Sequence, residues 1–477
     1  MAQTDITELL SNQKKAFLKE GVVTAATRVD RLSRVHDLIG RNRSQIVEAV
    51  SADFGNRSRH QSQMSEILAS MDGLKHAMKH VKRWMRPERR RPPFPFGLLG
   101  ASARIEYVPK GSVGNLSTWN FPVYTAISPL TGILAAGNRA MLKLSELTPE
   151  TSALLCRLIA EAFEPEEVAV VLGDASTGAA FASLPFDHLI FTGGTHIGRH
   201  ILEAASKNLT PCTLELGGKS PVIVGQDYDL AKAAERIFTG KALNQGQACL
   251  APDYVFVPKA DEQAFIEIVS EFYSTLFPTV INNPDVTSVI NARHAARIQH
   301  LIDDAQQKGA RIHTINPAGE NLEDQPDHLH KIPLTLVTDV NDSMAIMQEE
   351  IFGPVMAIKT YDDVSECVSY INARPRPLGL YYFGNDSSEE RYVLDHTISG
   401  SVCINDVMGQ ASCEDLPFGG IGASGMGHYH GQDGFKTFSH ARAVYHQSQV
   451  NLMKLSGMLP PYGDKCQKQL DHLTKVK

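Results

Sequence analysis

Cys249 closes the run Asn244-Gln245-Gly246-Gln247-Ala248-Cys249, a short distance downstream of Leu214-Glu215-Leu216-Gly217-Gly218-Lys219-Ser220. A thiol can act as nucleophile and a carboxylate as base. Each is framed here by glycines that let the backbone and a ligand approach closely, and together they suit covalent catalysis through a thioester. The chain therefore reads as an enzyme. Cys156, Cys212, Cys367, Cys403, Cys413 and Cys466 lack a glycine-framed partner motif, and Cys156 sits in an apolar helical stretch where packing is the plain role.

The surrounding elements must bring the two fragments together. From Val108 an apolar stretch runs to Leu116, followed by a helical segment over 124–136, a strand over 140–144 and a helix opened by Thr148-Pro149-Glu150 that runs to Phe163. Apolar runs at 168–172 and 188–191 and a helix from His196 to about Lys207 continue the alternation. Strands alternating with helices of this length predict parallel βαβ units and a doubly wound sheet, a nucleotide-binding type of domain. A second series begins near Pro221-Val222-Ile223-Val224, passes through Tyr254–Val257 and ends at the glycine-rich segment after Pro417. At 477 residues the chain exceeds what one core usually supports. A boundary near Gly217 would set Glu215 and Cys249 facing each other across a cleft, where ligands usually bind. The amphipathic stretch Arg28–Val50 reads as helix packed on the first domain.

Two glycine-rich segments compete for a dinucleotide. Gly420-Ile421-Gly422-Ala423-Ser424-Gly425 matches GxGxxG literally, but no buried strand precedes it, no clear helix follows and no acidic residue lies at the required distance. Phe191-Thr192-Gly193-Gly194-Thr195-His196-Ile197-Gly198 instead joins a strand directly to a helix, whose first N–H groups and dipole favour phosphate. Lys143 and Glu146 end a strand at the edge where a ribose would lie. A carboxylate there can accept hydrogen bonds from ribose hydroxyls and would repel a 2'-phosphate, while an exposed strand-end Lys/Glu pair is the plain alternative.

These fragments, with Trp119-Asn120-Phe121-Pro122, Glu350-Ile351-Phe352-Gly353-Pro354-Val355 and Pro417-Phe418-Gly419-Gly420, resemble the aldehyde dehydrogenase superfamily in order and spacing over nearly the whole chain. The tail Ser424–Gly431 with Lys436-Thr437-Phe438-Ser439-His440 is similar to the class 3 branch. The resemblance implies an α/β fold with a Rossmann-type cofactor domain over 1–216, a catalytic α/β domain over 217–423, and a return segment and tail over 424–477. The stretch 91–109 and the strand at Ala443–Gln447 would form a small β oligomerisation element. It also implies Cys249 as nucleophile, Glu215 as the base that hydrolyses a thioester, and the Asn120 amide with the Cys249 backbone N–H as oxyanion donors. Trp119, Lys143, Glu146, Gly193, Gly194, Gly198, Glu350 and Phe352 would hold the cofactor, NAD with NADP possible. Gly194 stands where many members carry serine, which removes one hydroxyl contact to phosphate. The implied reaction turns an aldehyde into the acid, with aromatic or cinnamyl aldehydes such as coniferyl aldehyde first and medium-chain aliphatic aldehydes second. The implied assembly is a homodimer.

Composition narrows the field. A formal net charge of −7 and a sequence pI near 6.2 argue against nucleic-acid and anionic-membrane partners, which select basic surfaces. The basic cluster Lys82, Arg83, Arg86, Arg89, Arg90 and Arg91 runs into Pro92-Pro93 and reads as a solvated helix end and linker. Seven cysteines without a CxxC or His-rich pattern predict a reduced interior and no metal site. The opening Met1–Asp5 lacks the basic-then-apolar order of a leader, so the cytoplasm is the expected location. Two rivals remain. A thiol hydrolase would use the same cysteine, base and oxyanion donor but leave Gly193, Gly198, Glu350 and Phe352 without a task, and a catalytically silent protein would have no use for Cys249, Glu215 and Asn120 together.

Overall fold

The computed structural model describes residues 6–476, so the opening Met1–Asp5 lies outside the described residues. The strands run β1 (Glu88–Arg90), β2 (Ser102–Pro109), β3 (Ser112–Leu116), β4 (Arg139–Lys143), β5 (Val168–Val171), β6 (His188–Thr192), β7 (Cys212–Glu215), β8 (Ser220–Val224) and β9 (Pro252–Pro258). They continue as β10 (Arg311–Thr314), β11 (Thr335–Thr338), β12 (Val355–Tyr361), β13 (Gly379–Phe383), β14 (Ser401–Ile404), β15 (Gly425–Met426) and β16 (Ser439–His446).

A six-stranded sheet has the order β15-β7-β6-β3-β4-β5 and a seven-stranded sheet the order β10-β11-β12-β9-β8-β13-β14. Within them only β15 on β7 and β10 on β11 pair antiparallel. The short apolar runs SVGNL, RAMLK and SPVIV are buried at every position. Helices such as Tyr124–Ala136 and Thr195–Ser206 carry the chain back between parallel neighbours. Apolar clusters built on Val222, Phe238 and Phe383 and on Ile223, Phe256 and Tyr382 bury both faces of the larger sheet. Each fully buried aliphatic or aromatic side chain contributes roughly 1.5–3 kcal/mol, enough collectively to hold the strand ends rigid.

Local order departs from the sequence expectation in three places. The Arg28–Val50 stretch is two helices, Ala25–Arg41 and Arg43–Asp53, because Asn42 turns its side chain back on the Leu38 carbonyl at 2.9 Å and ends the first. Arg89 and Arg90 lie in β1, paired with Arg104 and Ala103 of β2, so the hairpin starts at Glu88 rather than at residue 91. The Ala/Gly/Ser-rich helix Ala175–Ala182, capped by the Asp174 carboxylate, has too little apolar periodicity to be read in advance.

The chain divides into two compact units. One comprises residues up to Trp84 together with Pro109–Phe438, and the other Met85–Val108 with Ser439 onward. The second contains the three-stranded sheet β1-β2-β16, with β16 at its edge. No helix among the described residues is long and apolar enough to cross a membrane.

Candidate active site

In the six-stranded sheet the chain winds one way from β3 through β4 to β5, while β6 and β7 lie on the other side of β3. The carboxyl ends of β3 and β6 therefore flank the point where the winding reverses, the usual place for a ligand crevice. Two loops leave that point. The first carries Trp119 and Asn120, and the second carries Thr192, Gly193 and Gly194 into the helix Thr195–Ser206. All five line one cleft of about 1070 Å³.

The seven-stranded sheet reaches the same cleft from the opposite chain direction. Cys249 precedes β9, and Glu350 and Phe352 precede β12. All three line the cleft, as does Glu215 at the carboxyl end of β7. Of the chain's seven cysteines, which are all free, Cys249 is the one in the cleft lining.

The nucleophile loop explains its own amide-rich sequence. Asn244, Gln245 and Gly246 adopt left-handed backbone in succession, with φ of 51°, 50° and 73°. A Cβ on Gly246 would sit 2.3 Å from the Gly353 carbonyl, so the close approach to the loop bearing Phe352 requires glycine. Two left-handed non-glycine residues are strained, and the structure holds them by side-chain hydrogen bonds. Gln247 Nε2 donates to the Asn244 and Ser288 carbonyls at 3.0 and 3.1 Å, and its Oε1 accepts the Ile290 N–H at 3.0 Å. Tyr273 donates its hydroxyl to Gln245 at 3.0 Å, and Asn244 Nδ2 donates to the Asn120 carbonyl at 3.0 Å. Asn120 Nδ2 in turn donates to the Gln247 carbonyl at 3.1 Å. One N–H of that amide is thus engaged and the amide carries a second.

Burial dominates the electrostatics. Glu215 is 3% exposed, and neither carboxyl oxygen has a hydrogen-bond partner. Burial pushes its pKa well above the ordinary carboxylate range. Burial, with Glu350 and Glu215 nearby, pushes the Cys249 thiol up to about 12, opposed only by backbone N–H groups at Cys249 and Leu250. The resting thiol is therefore protonated. Glu350 is raised to about 8 by burial and then by Asp253, against the Gly218 N–H, Lys219 and Arg297. A Cβ on Gly217 would fall 2.0 Å from the Glu350 carboxylate, which accounts for a glycine just after the Glu215 strand.

The cofactor side can be tested on its donors. Gly194 N-caps its helix without a side-chain cap, and a Cβ there would meet nothing within 4 Å, so the space before the helix start is open. Trp119 packs edge-on to Phe352 at 5.4 Å and against His294 at 5.0 Å, an apolar aromatic wall beside Cys249. An open helix start in the same cleft as an aromatic wall fits a dinucleotide.

The cleft thus gathers Cys249, Glu215, Asn120, Trp119, Gly193, Gly194, Glu350 and Phe352, and does not include Lys143, Glu146 or Gly198 in its lining. Lys143 ends β4 at the same sheet edge and pairs with Glu146 at 3.2 Å. Gly198 lies in the helix Thr195–Ser206, where a Cβ would press on Leu216 at 2.7 Å. The decoy GxGxxG segment opens no helix. It forms the turn into β15, where Gly425 pairs with Glu215 and a Cβ would strike the Leu214 carbonyl at 2.4 Å. Phe121 and Tyr124 line the cleft, whereas Tyr254 is buried in the core against Phe256 and Tyr370. Phe418 and Tyr429, from the two motif segments near the C-terminus, also line it, as do Met64, Leu68, Met408 and Glu414, single residues from scattered segments that leave no local signal.

A family model described as the aldehyde dehydrogenase family matches residues 1–444. A coniferyl aldehyde dehydrogenase of a Pseudomonas species is 50% identical over 455 residues, covering 95% of this chain and 93% of that protein. Among solved structures, Staphylococcus aureus AldH in its substrate-bound state has a TM-score of 0.90 at 34% identity, covering 98% of this chain and 99% of that one. A Mycobacterium tuberculosis aldehyde dehydrogenase complexed with NAD+ has a TM-score of 0.82 at 25% identity, covering 93% and 90%. The chain belongs to the aldehyde dehydrogenase family. It is an NAD(P)-dependent oxidoreductase that converts an aldehyde to the carboxylic acid.

Proposed function

We propose that this chain oxidises cinnamyl-type aldehydes such as coniferyl aldehyde with NAD as the preferred acceptor, through a thioester on Cys249. The observation that carries the residue roles is the meeting of Cys249, the unpartnered Glu215 carboxyl and the Asn120 amide in one cleft. In this reading Cys249 Sγ loses its proton to solvent water and bonds to the aldehyde carbon, and the carbonyl π pair moves to oxygen. The second Asn120 N–H and the Cys249 backbone N–H stabilise that oxyanion. A nicotinamide held by Glu350, Phe352 and Trp119 would supply the acceptor for the hydride on that carbon. The acyl group then remains on Sγ. Glu215, in its ionised form and with no protein donor on its oxygens, binds a water and removes its proton as the water oxygen attacks the acyl carbon. The C–S bond breaks, Sγ takes that proton from Glu215, and the acid leaves.

Gly193, Gly194 and the helix start would hold pyrophosphate, with Gly198 behind them packing that helix on Leu216. Glu350, Phe352 and Trp119 would hold the nicotinamide end, and Lys143 with Glu146 the ribose. The aromatic and apolar side of the cleft at Phe121, Tyr124, Leu68 and Phe418 supports a planar substrate, as does the likeness to a coniferyl aldehyde dehydrogenase. Residues 1–216 serve as the cofactor domain, 217–423 as the catalytic domain and 424–477 as return segment and tail. The split between the β3–β7 sheet and the β8–β14 sheet at Gly217 supports this division. A homodimer built on the outer side of β16 follows from an edge strand whose backbone can pair with a second copy. Seven free cysteines support a cytoplasmic site of action.

Absorbance at 340 nm, read with coniferyl aldehyde and medium-chain aliphatic aldehydes and with NAD and NADP, tests the reading. A higher kcat/KM for the aliphatic series would overturn the substrate assignment, and a preference for NADP the cofactor one. Light scattering after size exclusion tests assembly, since a mass near the 52.3 kDa of one chain would exclude the dimer.

A further inference from the structure

Beneath Asn120 lies an ion pair that no step above uses. Arg57 and Glu66 have side chains 0% exposed and approach within 2.9 Å. Arg57 Nη1 donates to the Asn120 carbonyl at 2.9 Å, and Nη2 donates to Ser65 Oγ at 3.1 Å. The guanidinium lies over the Phe121 ring, 4.8 Å from its centroid. Glu66 Oε2 accepts the Val123 and Tyr124 N–H groups at 3.1 and 2.8 Å, at the start of a helix that has no side-chain cap of its own.

The pair therefore grips both ends of the segment Asn120–Tyr124, which bears the oxyanion amide and two walls of the cleft. Glu66 does so from a π-helical turn, Gln63–Leu68, the widened geometry that recurs at functional sites, and Arg57 from the loop before the helix Arg59–Ser62. The Asn120 carbonyl is shared between Arg57 and Asn244 of the nucleophile loop, so one peptide oxygen ties the two catalytic loops together. Stability alone does not call for such a pair, because apolar side chains of similar volume commonly serve a core as well as buried ions do. What ions add is direction: two fixed N–H donors to carbonyl and hydroxyl, and a carboxylate oxygen aimed at two peptide N–H groups.

We infer that Arg57 and Glu66 are positioning residues that set the Asn120 amide against Cys249, acting on the rate of the chemical steps through Asn120 rather than on substrate or cofactor binding. The inference rests on the reading of Asn120 as oxyanion donor.

A double-mutant cycle tests it. Arg57→Lys and Glu66→Gln are each made alone and in an Asn120→Ala background, with folding checked by thermal melting and NAD binding by tryptophan fluorescence. Displacing an oxyanion donor should cost about tenfold in kcat, with aldehyde KM and NAD affinity within about twofold. The rate at which iodoacetamide alkylates Cys249 should stay the same, which a generally loosened cleft would not allow. In the Asn120→Ala background the same substitutions should cost less than about twofold, since their route of action is already gone. Equal losses in both backgrounds, with Asn120→Ala itself impaired, would overturn the positioning role and leave the oxyanion reading standing. An Asn120→Ala enzyme with unchanged kcat would overturn the oxyanion reading and this inference with it. If Arg57→Lys does not fold, Glu66→Gln carries the cycle. If neither folds, the pair is a stability element and the inference fails.

Discussion

The two large sheets present opposite ends of their strands to the same cleft. The six-stranded sheet contributes residues that follow strands: Asn120 after β3, Gly193 and Gly194 after β6, and Glu215 at the end of β7. The seven-stranded sheet contributes residues that precede strands, Cys249 before β9 and Glu350 before β12. The first arrangement is the ordinary consequence of doubly wound topology, where helix starts and loop N–H groups gather at the carboxyl edge. The second has no such built-in donors. Its nucleophile loop is held instead by the amides of Asn244, Gln245 and Gln247, and Glu350 by Gly218 and nearby cations. The carboxyl edge brings the glycine turn, the Asn120 amide and Glu215 to the cleft, and the amino edge brings the thiol and Glu350.

Substitutions at the reacting groups and at the glycine turn should separate chemistry from binding. The largest effect is expected at Cys249→Ala, which should lower dehydrogenation on the order of 10⁴-fold or more while NAD affinity holds within a few-fold. Activity near that of the parent would remove the covalent route. Glu215→Gln should lose roughly 10²- to 10⁴-fold in steady turnover yet keep a stoichiometric burst of NADH in rapid mixing. A missing burst would mean that Glu215 also takes the thiol proton, which its place beside a thiol raised to about 12 makes the alternative to test.

At the glycine turn after β6, Gly194 has φ −69° and no neighbour for an added Cβ, so Gly194→Val should leave the melting temperature within a few degrees. It should raise the KM for NAD about tenfold by filling the space before the helix start. An unchanged KM would put the phosphate elsewhere.

A proton-linked effect should be smaller. Glu350 has a folded pKa near 8, above the ordinary carboxylate value, so the folded protein holds the extra proton. Its contribution then makes stability fall as pH rises from about 4.5 toward 8, and Glu350→Gln should flatten that part of the denaturation profile. An identical slope in the variant would show that the carboxylate is solvated. The smallest change is expected at Glu146→Gln, which should shift the NAD-to-NADP ratio of kcat/KM by only a few-fold, because Glu146 is half exposed and already paired with Lys143. An unaltered ratio would remove Glu146 from the ribose.

Apolar runs such as SVGNL and SPVIV, the glycine turn after β6 and the motifs around Glu215 and Cys249 could be read from the chain because each is a local pattern. Strand periodicity, turn residues and a framed nucleophile all lie within a few positions. The reversal of winding at β3, which sets Asn120 beside Gly193, is a matter of strand order and leaves no local trace. The same holds for the contact of Arg57 with Asn120 across 63 positions and for the lining by Met64, Met408 and Glu414. The sequence by itself determined which groups were available for chemistry. Only the tertiary structure decided their surroundings: of two buried glutamates, Glu66 meets Arg57 and two peptide N–H groups, while no hydrogen-bond partner reaches the oxygens of Glu215. The energy of a buried charge depends on what the fold places within a few ångströms of it, and that is not written beside it in the chain.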